Sequence, residues 1–166
     1  MQALTSAAIA LDALYASVRE RTDIPETLVA TWRKNKTARP KQVAEVFRRA
    51  FRVGPKSFRN LAAIVHQLYK FRDLAVHPPA SFSAPVFHAT LNAGTEWRFL
   101  SFGYDSSLVA VRASLAAVTQ LTQLPRTKNT LLVKYCGDLN ARLIPLVERW
   151  ESTFGALLNA TRPSPE

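Results

Sequence analysis

Apolar residues Leu4, Ala7, Ala8, Leu11, Leu14, Tyr15 and Val18 recur in steps of three and four, which predicts an amphipathic helix at the start of the chain. Pro25 suits the first turn of a second helix carrying Leu28, Val29 and Trp32, and the basic stretch RKNKTARP breaks the pattern after it. A third helix begins near Pro40, with Val43, Val46, Phe47 and Ala50 inward and Lys41, Arg48, Arg49 and Arg52 largely outward; Gly54-Pro55 ends it. The fourth runs from Lys56 to His77 and stops at Pro78-Pro79, because the residue before a proline is pushed out of helical geometry. Periodicity is lost from Ala80 to Tyr104, where TEWRFLSFGY reads as a short hairpin or an extended run. Asp105 or Ser106 caps a fifth helix bearing Leu108, Val111, Leu115, Val118 and Leu121, stopped by Pro125. A long last helix spans Asn129 to Leu158, with Leu132, Tyr135, Leu139, Leu143, Leu146, Trp150 and Phe154 on one side and a kink expected at Pro145.

Helices joined by short loops predict an all-α, up-and-down bundle of about five to six helices, with a short irregular or β-hairpin insertion after the fourth. Without an internal repeat or a low-complexity segment, residues 1–160 read as one domain and 161–166 as a loose tail. A chain of 166 residues that is 48% hydrophobic and 20% charged is expected to build a single core, which excludes wholesale disorder. Its one cysteine, Cys136, has no internal partner, and no Cys/His cluster has metal-ligand spacing, so a reducing setting without a metal centre is expected. The opening stretch lacks a positively charged leader and carries Asp12 inside its apolar pattern. That argues against a signal peptide or a membrane span and for a cytoplasmic protein.

Charge adds a partner class. Lys and Arg number 22 against 12 Asp and Glu, a formal net charge of +10, which points to a polyanion. The excess is local: Arg19 to Arg59 holds twelve Lys and Arg against Glu20, Asp23, Glu26 and Glu45, a surplus of eight. A solvated helical face is the plainer reading of the same run.

Most common chemistries lack their residues. The five glycines are scattered and build no phosphate loop, no Glu-x-x-His pair is present, and no Gly-x-Ser-x-Gly elbow presents a serine. No metal or nucleotide cofactor is expected. What remains is YKFRDLAVHPP, Tyr69 to Pro79. At about 100° per residue, His66, Lys70, Asp73 and His77 fall within about 40° of Arg59 as one polar stripe, whereas Arg72 projects between Val65 and Leu68 on the apolar side. An unpaired charge there costs several kcal/mol, about as much as a whole side chain's burial gains, so Arg72 needs a partner, a groove or a ligand. The structural readings are an ion pair with Asp12 or Asp138 for Arg72, and a helix C-cap role for His77.

The segment FRDLAVHPP resembles the motif of the HEPN superfamily, helical bundles whose signature is Arg, a polar residue, a short spacer and His near a helix end. SAAIALDALYASVRE, then RKNKTARPKQVAEVFRRAF, then the motif helix is similar to the usual order of such a bundle. A second match, RNLAAIVH from Arg59 to His66, lies on the polar stripe and is expected to face water. The resemblance implies a homodimer whose paired Arg/His sets line one cleft, and metal-independent cleavage of RNA in a toxin or defence role, with an antitoxin or other partner protein. It casts His77 as general acid or base, Arg72 as the clamp on phosphate oxygens and Asp73 as an orienting group. Those residue types fit the chemistry: histidine exchanges protons near neutral pH, and arginine is an always-charged fork. Arg48, Arg49, Arg52, Lys56 and Lys70 are the candidate surface gathering the RNA backbone. Toxins paired with a nucleotidyltransferase antitoxin carry a modifiable Tyr two residues after the His; here that position is Pro79, which argues against control by that modification. The reading from another class is a non-catalytic helical module, binding RNA, sensing a nucleotide or docking a protein.

Overall fold

The first helix, α1 (Gln2–Arg19), buries all seven apolar residues that the opening pattern selected. Four are fully sealed, and each buried Leu or Val contributes roughly 1.5–3 kcal/mol of transfer free energy, which makes α1 the axis of the core. The computed structural model describes residues 2–77, 81, 84–89, 92–123, 125 and 127–158. Around α1 pack α3 (Arg39–Ala50), α4 (Pro55–Val76) and α6 (Tyr104–Gln123). Short α2 (Glu26–Lys34) adds buried Trp32, and α7 (Thr130–Phe154) packs on α6. The fold is an all-α bundle with a short hairpin insertion, as the sequence predicts. Among the described residues no helix is long and apolar enough to cross a membrane.

Two helices end where the sequence carries no glycine. At the end of α2 the Thr37 N–H donates to the Trp32 carbonyl (2.9 Å) around Lys36 at φ 47°; at the end of α3 the Val53 N–H donates to Arg48 (3.0 Å) around Arg52 at φ 51°. Both are Schellman closures with a cation in the left-handed position usually held by glycine. The second stops α3 at Ala50, so Gly54-Pro55 starts α4 instead of ending α3: Gly54 is the N-cap, and Pro55 fills the first turn, where its missing N–H costs nothing. The α3–α4 pair runs antiparallel, with the Arg48 guanidinium 5.8 Å from the Phe58 ring centroid.

The insertion forms earlier than expected. β1 (Val86–His88) pairs antiparallel with β2 (Ala93–Thr95) in register Val86↔Thr95, and TEWRFLSFGY contributes only Thr95 to it. Trp97–Ser101 is instead a single helical stretch, α5. Both strands are three residues long and largely exposed, so no alternating pattern marked them. Gly94 passes close to the start of the preceding strand: a Cβ there would meet Pro85 Cβ at 3.2 Å, a tight contact that one of the two would have to relieve by a small shift.

α6 starts at Tyr104, which places Asp105 in its first turn, against the positive end of the helix, and not at the cap. Its small buried residues Ala110, Ser114 and Ala117 let it approach α1 closely, and Ser114 Oγ donates to the Ala7 carbonyl at 2.8 Å. Asn129 caps α7 by accepting from the Leu132 N–H (3.1 Å) and ties it to the turn after α1 by donating to the Arg21 carbonyl (2.7 Å). α7 stops at Gly155, φ 81°, short of Leu158; Leu146 and Phe154, expected inward, are about half exposed. The chain then turns back so that Arg112 donates to the Ala156 and Leu157 carbonyls. The Pro78-Pro79 stop and the 161–166 tail lie outside the described residues.

Candidate functional site

Arg72 sits in the last turns of α4 and is held on two sides. Its Nη1 donates to Asp12 Oδ2 of α1 at 3.2 Å, and its Nε and Nη2 donate to Asp73 Oδ1 at 3.1 and 2.8 Å. Its guanidinium carbon lies 4.5 Å from the Tyr69 ring centroid, a cation–π contact worth roughly 0.5–1 kcal/mol or somewhat more at a partly buried position. Of the two carboxylates the sequence offered, Asp12 is therefore the partner; Asp138 is exposed on α7, beside Arg21 and Lys134. The side chain remains 26% exposed, so the guanidinium is neutralised without being sealed.

Asp12 holds a second arginine. Arg39, the first residue of α3, donates Nε to Asp12 Oδ1 at 3.0 Å and lies over the Tyr15 ring at 4.0 Å. Burial works against its charge, but the bond to Asp12 outweighs it and raises its pKa further. Beneath both arginines the Tyr69 hydroxyl, on a residue 1% exposed, makes no hydrogen bond among the described residues. Burial first, then the nearby Asp12 carboxylate, holds its pKa well above the usual tyrosine range. It stays a neutral phenol.

His77 is the C-cap of α4. At φ −125°, ψ 68° it has left helical geometry, as a residue before proline should, and its N–H closes the helix on the Asp73 carbonyl at 2.8 Å. The residue is exposed, and among the described residues no hydrogen bond or ion pair joins its imidazole to Arg72 or Asp73. The structure thus brings Arg72 and Asp73 into direct contact and sets His77 beyond them, about 7.5 Å further along the helix axis from Arg72. Arg59 and His66 are both exposed, as the polar stripe predicts. Compared with protein-family models, with curated proteins and with solved structures, the chain matches none.

The candidate backbone-gathering residues divide. Lys70 lies two residues from Arg72. Lys56 lies 16 residues from it along α4, about 24 Å, and Arg48 stands level with Phe58, about 21 Å away. Arg48 and Arg49 are also committed to Glu45, at 2.7 and 2.6 Å. Arg52 is exposed at the same far end. Sequence reasoning passed over Arg39, although the signal was present: in a helical hairpin turning near Arg52–Gly54, the start of one helix must lie opposite the end of the other.

The Glu45 carboxyl is held below the usual range, first by the Arg48 hydrogen bond and also by Arg49. A lowered folded-state pKa gives stability that is present above the unfolded pKa and lost as pH falls through the folded one. Glu45→Gln should cost up to about 1 kcal/mol in urea unfolding at pH 7, and the difference from wild type should close below about pH 4.

A cavity of about 760 Å³ opens between α1, α6 and α7, walled by Leu14, Leu115, Leu143 and Trp150. It carries no histidine, carboxylate or cysteine and so none of the chemistry found at the end of α4. Among the described residues no group of His, Cys, Asp and Glu is placed to hold a metal ion.

Proposed function

We propose that this chain is a metal-independent endoribonuclease of the HEPN type, acting in the cytoplasm in a toxin or defence role. The observation that carries the reading is the end of α4: an arginine oriented by two carboxylates yet open to solvent, followed by an exposed histidine at the helix terminus.

RNA brings its own nucleophile. The 2′-oxygen forms a bond to phosphorus as its proton leaves, and the P–O5′ bond breaks as a proton reaches the departing oxygen, giving a 2′,3′-cyclic phosphate. His77 moves one of these protons; in a homodimer the second His77 moves the other. Arg72, its fork fixed by Asp73, offers charge to the phosphate oxygens as the phosphorane forms. Among the described residues the imidazole and guanidinium are not bonded to each other, so each can address a different atom of the same phosphodiester. DNA lacks the 2′-hydroxyl and is spared.

The test is incubation of the purified protein with RNA and with DNA of the same sequence in excess chelator. RNA should be cut to fragments with cyclic phosphate ends while DNA stays intact; loss of cleavage on chelation, or equal cutting of DNA, overturns the reading.

A second reading has its own observation. The Arg72–Asp12 bond ties α4 to α1, and that is also the work of a purely internal tether in a non-catalytic RNA-binding or protein-interaction module. The two separate by response: cleavage follows a histidine ionisation and ignores chelator, whereas binding alone follows salt.

A further inference from the structure

The arginines of this site do not stop at Asp12. Arg39 and Arg72 take one carboxylate oxygen each, and Arg39 shares the Tyr15 ring with Arg19. The Arg19 guanidinium lies 5.9 Å from that ring centroid, and its Nη1 donates to Tyr15 Oη at 3.2 Å. Arg19 in turn lines a pocket of about 460 Å³ with Arg33, Lys36, Trp32, Thr37 and Gln42. Contact by contact, a row of cations crosses the bundle from the end of α4, over the start of α3 and the end of α1, to the closure of α2.

Four features make this row a better polyanion surface than the far end of α3. Its five cations face two carboxylates, Asp12 and Asp73, and the pocket itself is lined by no acid; Glu20, next to Arg19, is turned to Arg21 at 3.8 Å. Arg39 is bonded through Nε alone among the described residues and is 41% exposed, which leaves both Nη groups for an incoming oxygen. Arg33 and Lys36 are exposed, and the α2 closure fixes Lys36 at φ 47° beside the pocket. Last, the row begins at Arg72, whereas Arg48 stands about 21 Å from it and is paired with Glu45.

The geometry points to a single-stranded RNA track running from Arg72 through Arg39 and Arg19 into the pocket formed by Arg33, Lys36 and Trp32. Arg39 takes the phosphate next to the one at Arg72, and the pocket takes a phosphate further along the strand. This rests on the ribonuclease reading for the class of ligand, but it is a statement about binding and is measured without cleavage.

The experiment titrates a fluorescent 2′-O-methyl RNA oligonucleotide, which has no free 2′-hydroxyl to attack, against the full chain over a range of salt. Two double variants remove the same charge: Arg33→Gln with Lys36→Gln in the track, and Arg52→Gln with Lys56→Gln at the far end. Circular dichroism confirms that both remain folded. The track variant should bind about tenfold more weakly and lose about 1.4 from the log–log salt slope, two phosphate contacts at about 0.7 each for a single strand; the far-end variant should stay within about twofold of wild type. Equal weakening by both variants, greater weakening by the far-end pair, or a wild-type chain that binds no RNA overturns the track. Binding with the expected pattern in a protein that cuts no RNA leaves the track standing and removes the ribonuclease reading alone.

Discussion

His77→Ala should leave the bundle folded and slow RNA cleavage by about 10²–10⁴-fold, the range for losing a positioned general acid or base. His77 is exposed, and the bond it makes among the described residues, N–H to the Asp73 carbonyl, belongs to the backbone and survives the substitution. Thermal unfolding should therefore match wild type, which separates lost chemistry from lost fold. Arg72→Lys gives the complementary test, because it keeps a charge near Asp12 but loses the fork that reaches Asp12 and Asp73 together. It should lower the rate by at least tenfold with little change in RNA affinity. Arg59→Ala with His66→Ala is the control, since both side chains stand exposed on the polar face of α4 and should have no effect. Full cleavage by His77→Ala, or loss of cleavage in the Arg59/His66 variant, would move the active site elsewhere.

How much of this was legible depended on how local the cause was. The α1 core could be read residue by residue, because a helix packed along one stripe states its burial in its own period. Arg72 could be singled out for the same reason: a charge on an apolar face is an anomaly within one helix. Its partner could be narrowed to two carboxylates but not chosen, since the choice depends on how α1 crosses α4. Helix ends were less legible where the chain broke the usual rule, as at Lys36 and Arg52, which take left-handed positions that glycine normally marks. The basic run could not be placed for a related reason. Spacing on α3 put Arg48, Arg49 and Arg52 on its outer face, but only the antiparallel fold of α3 on α4 shows that Arg48 stands at the far end of the hairpin from Arg72 and that Arg39 shares Asp12 with it.

Asp12→Ala should separate a tether from a positioning group, because Asp12 is where the fold and the site meet. Its carboxylate accepts from Arg39 at 3.0 Å and from Arg72 at 3.2 Å, and its side chain is 28% exposed. A fully buried pair broken on one side costs about 3–5 kcal/mol, but here both guanidiniums can turn to water and Arg72 keeps Asp73, so about 1–3 kcal/mol is expected, a fall of roughly 3–10 °C in Tm for a chain of this size. Two outcomes beyond stability carry the distinction. If Asp12 only ties α1 to α4, the folded fraction cleaves RNA at the wild-type rate. If it also aims Arg39 and Arg72, single-turnover cleavage falls about tenfold while RNA binding tightens, because a negative charge has left a cationic surface, so affinity and rate move in opposite directions. Asp12→Asn should fall between, keeping one acceptor oxygen without the charge, and Asp12→Glu should restore more of the rate than of the stability, since a carboxylate one methylene longer still reaches both forks but must displace its neighbours. Wild-type rate and affinity in Asp12→Ala, with stability alone reduced, would leave Asp12 a tether between α1 and α4 and take it out of the positioning of Arg39 and Arg72.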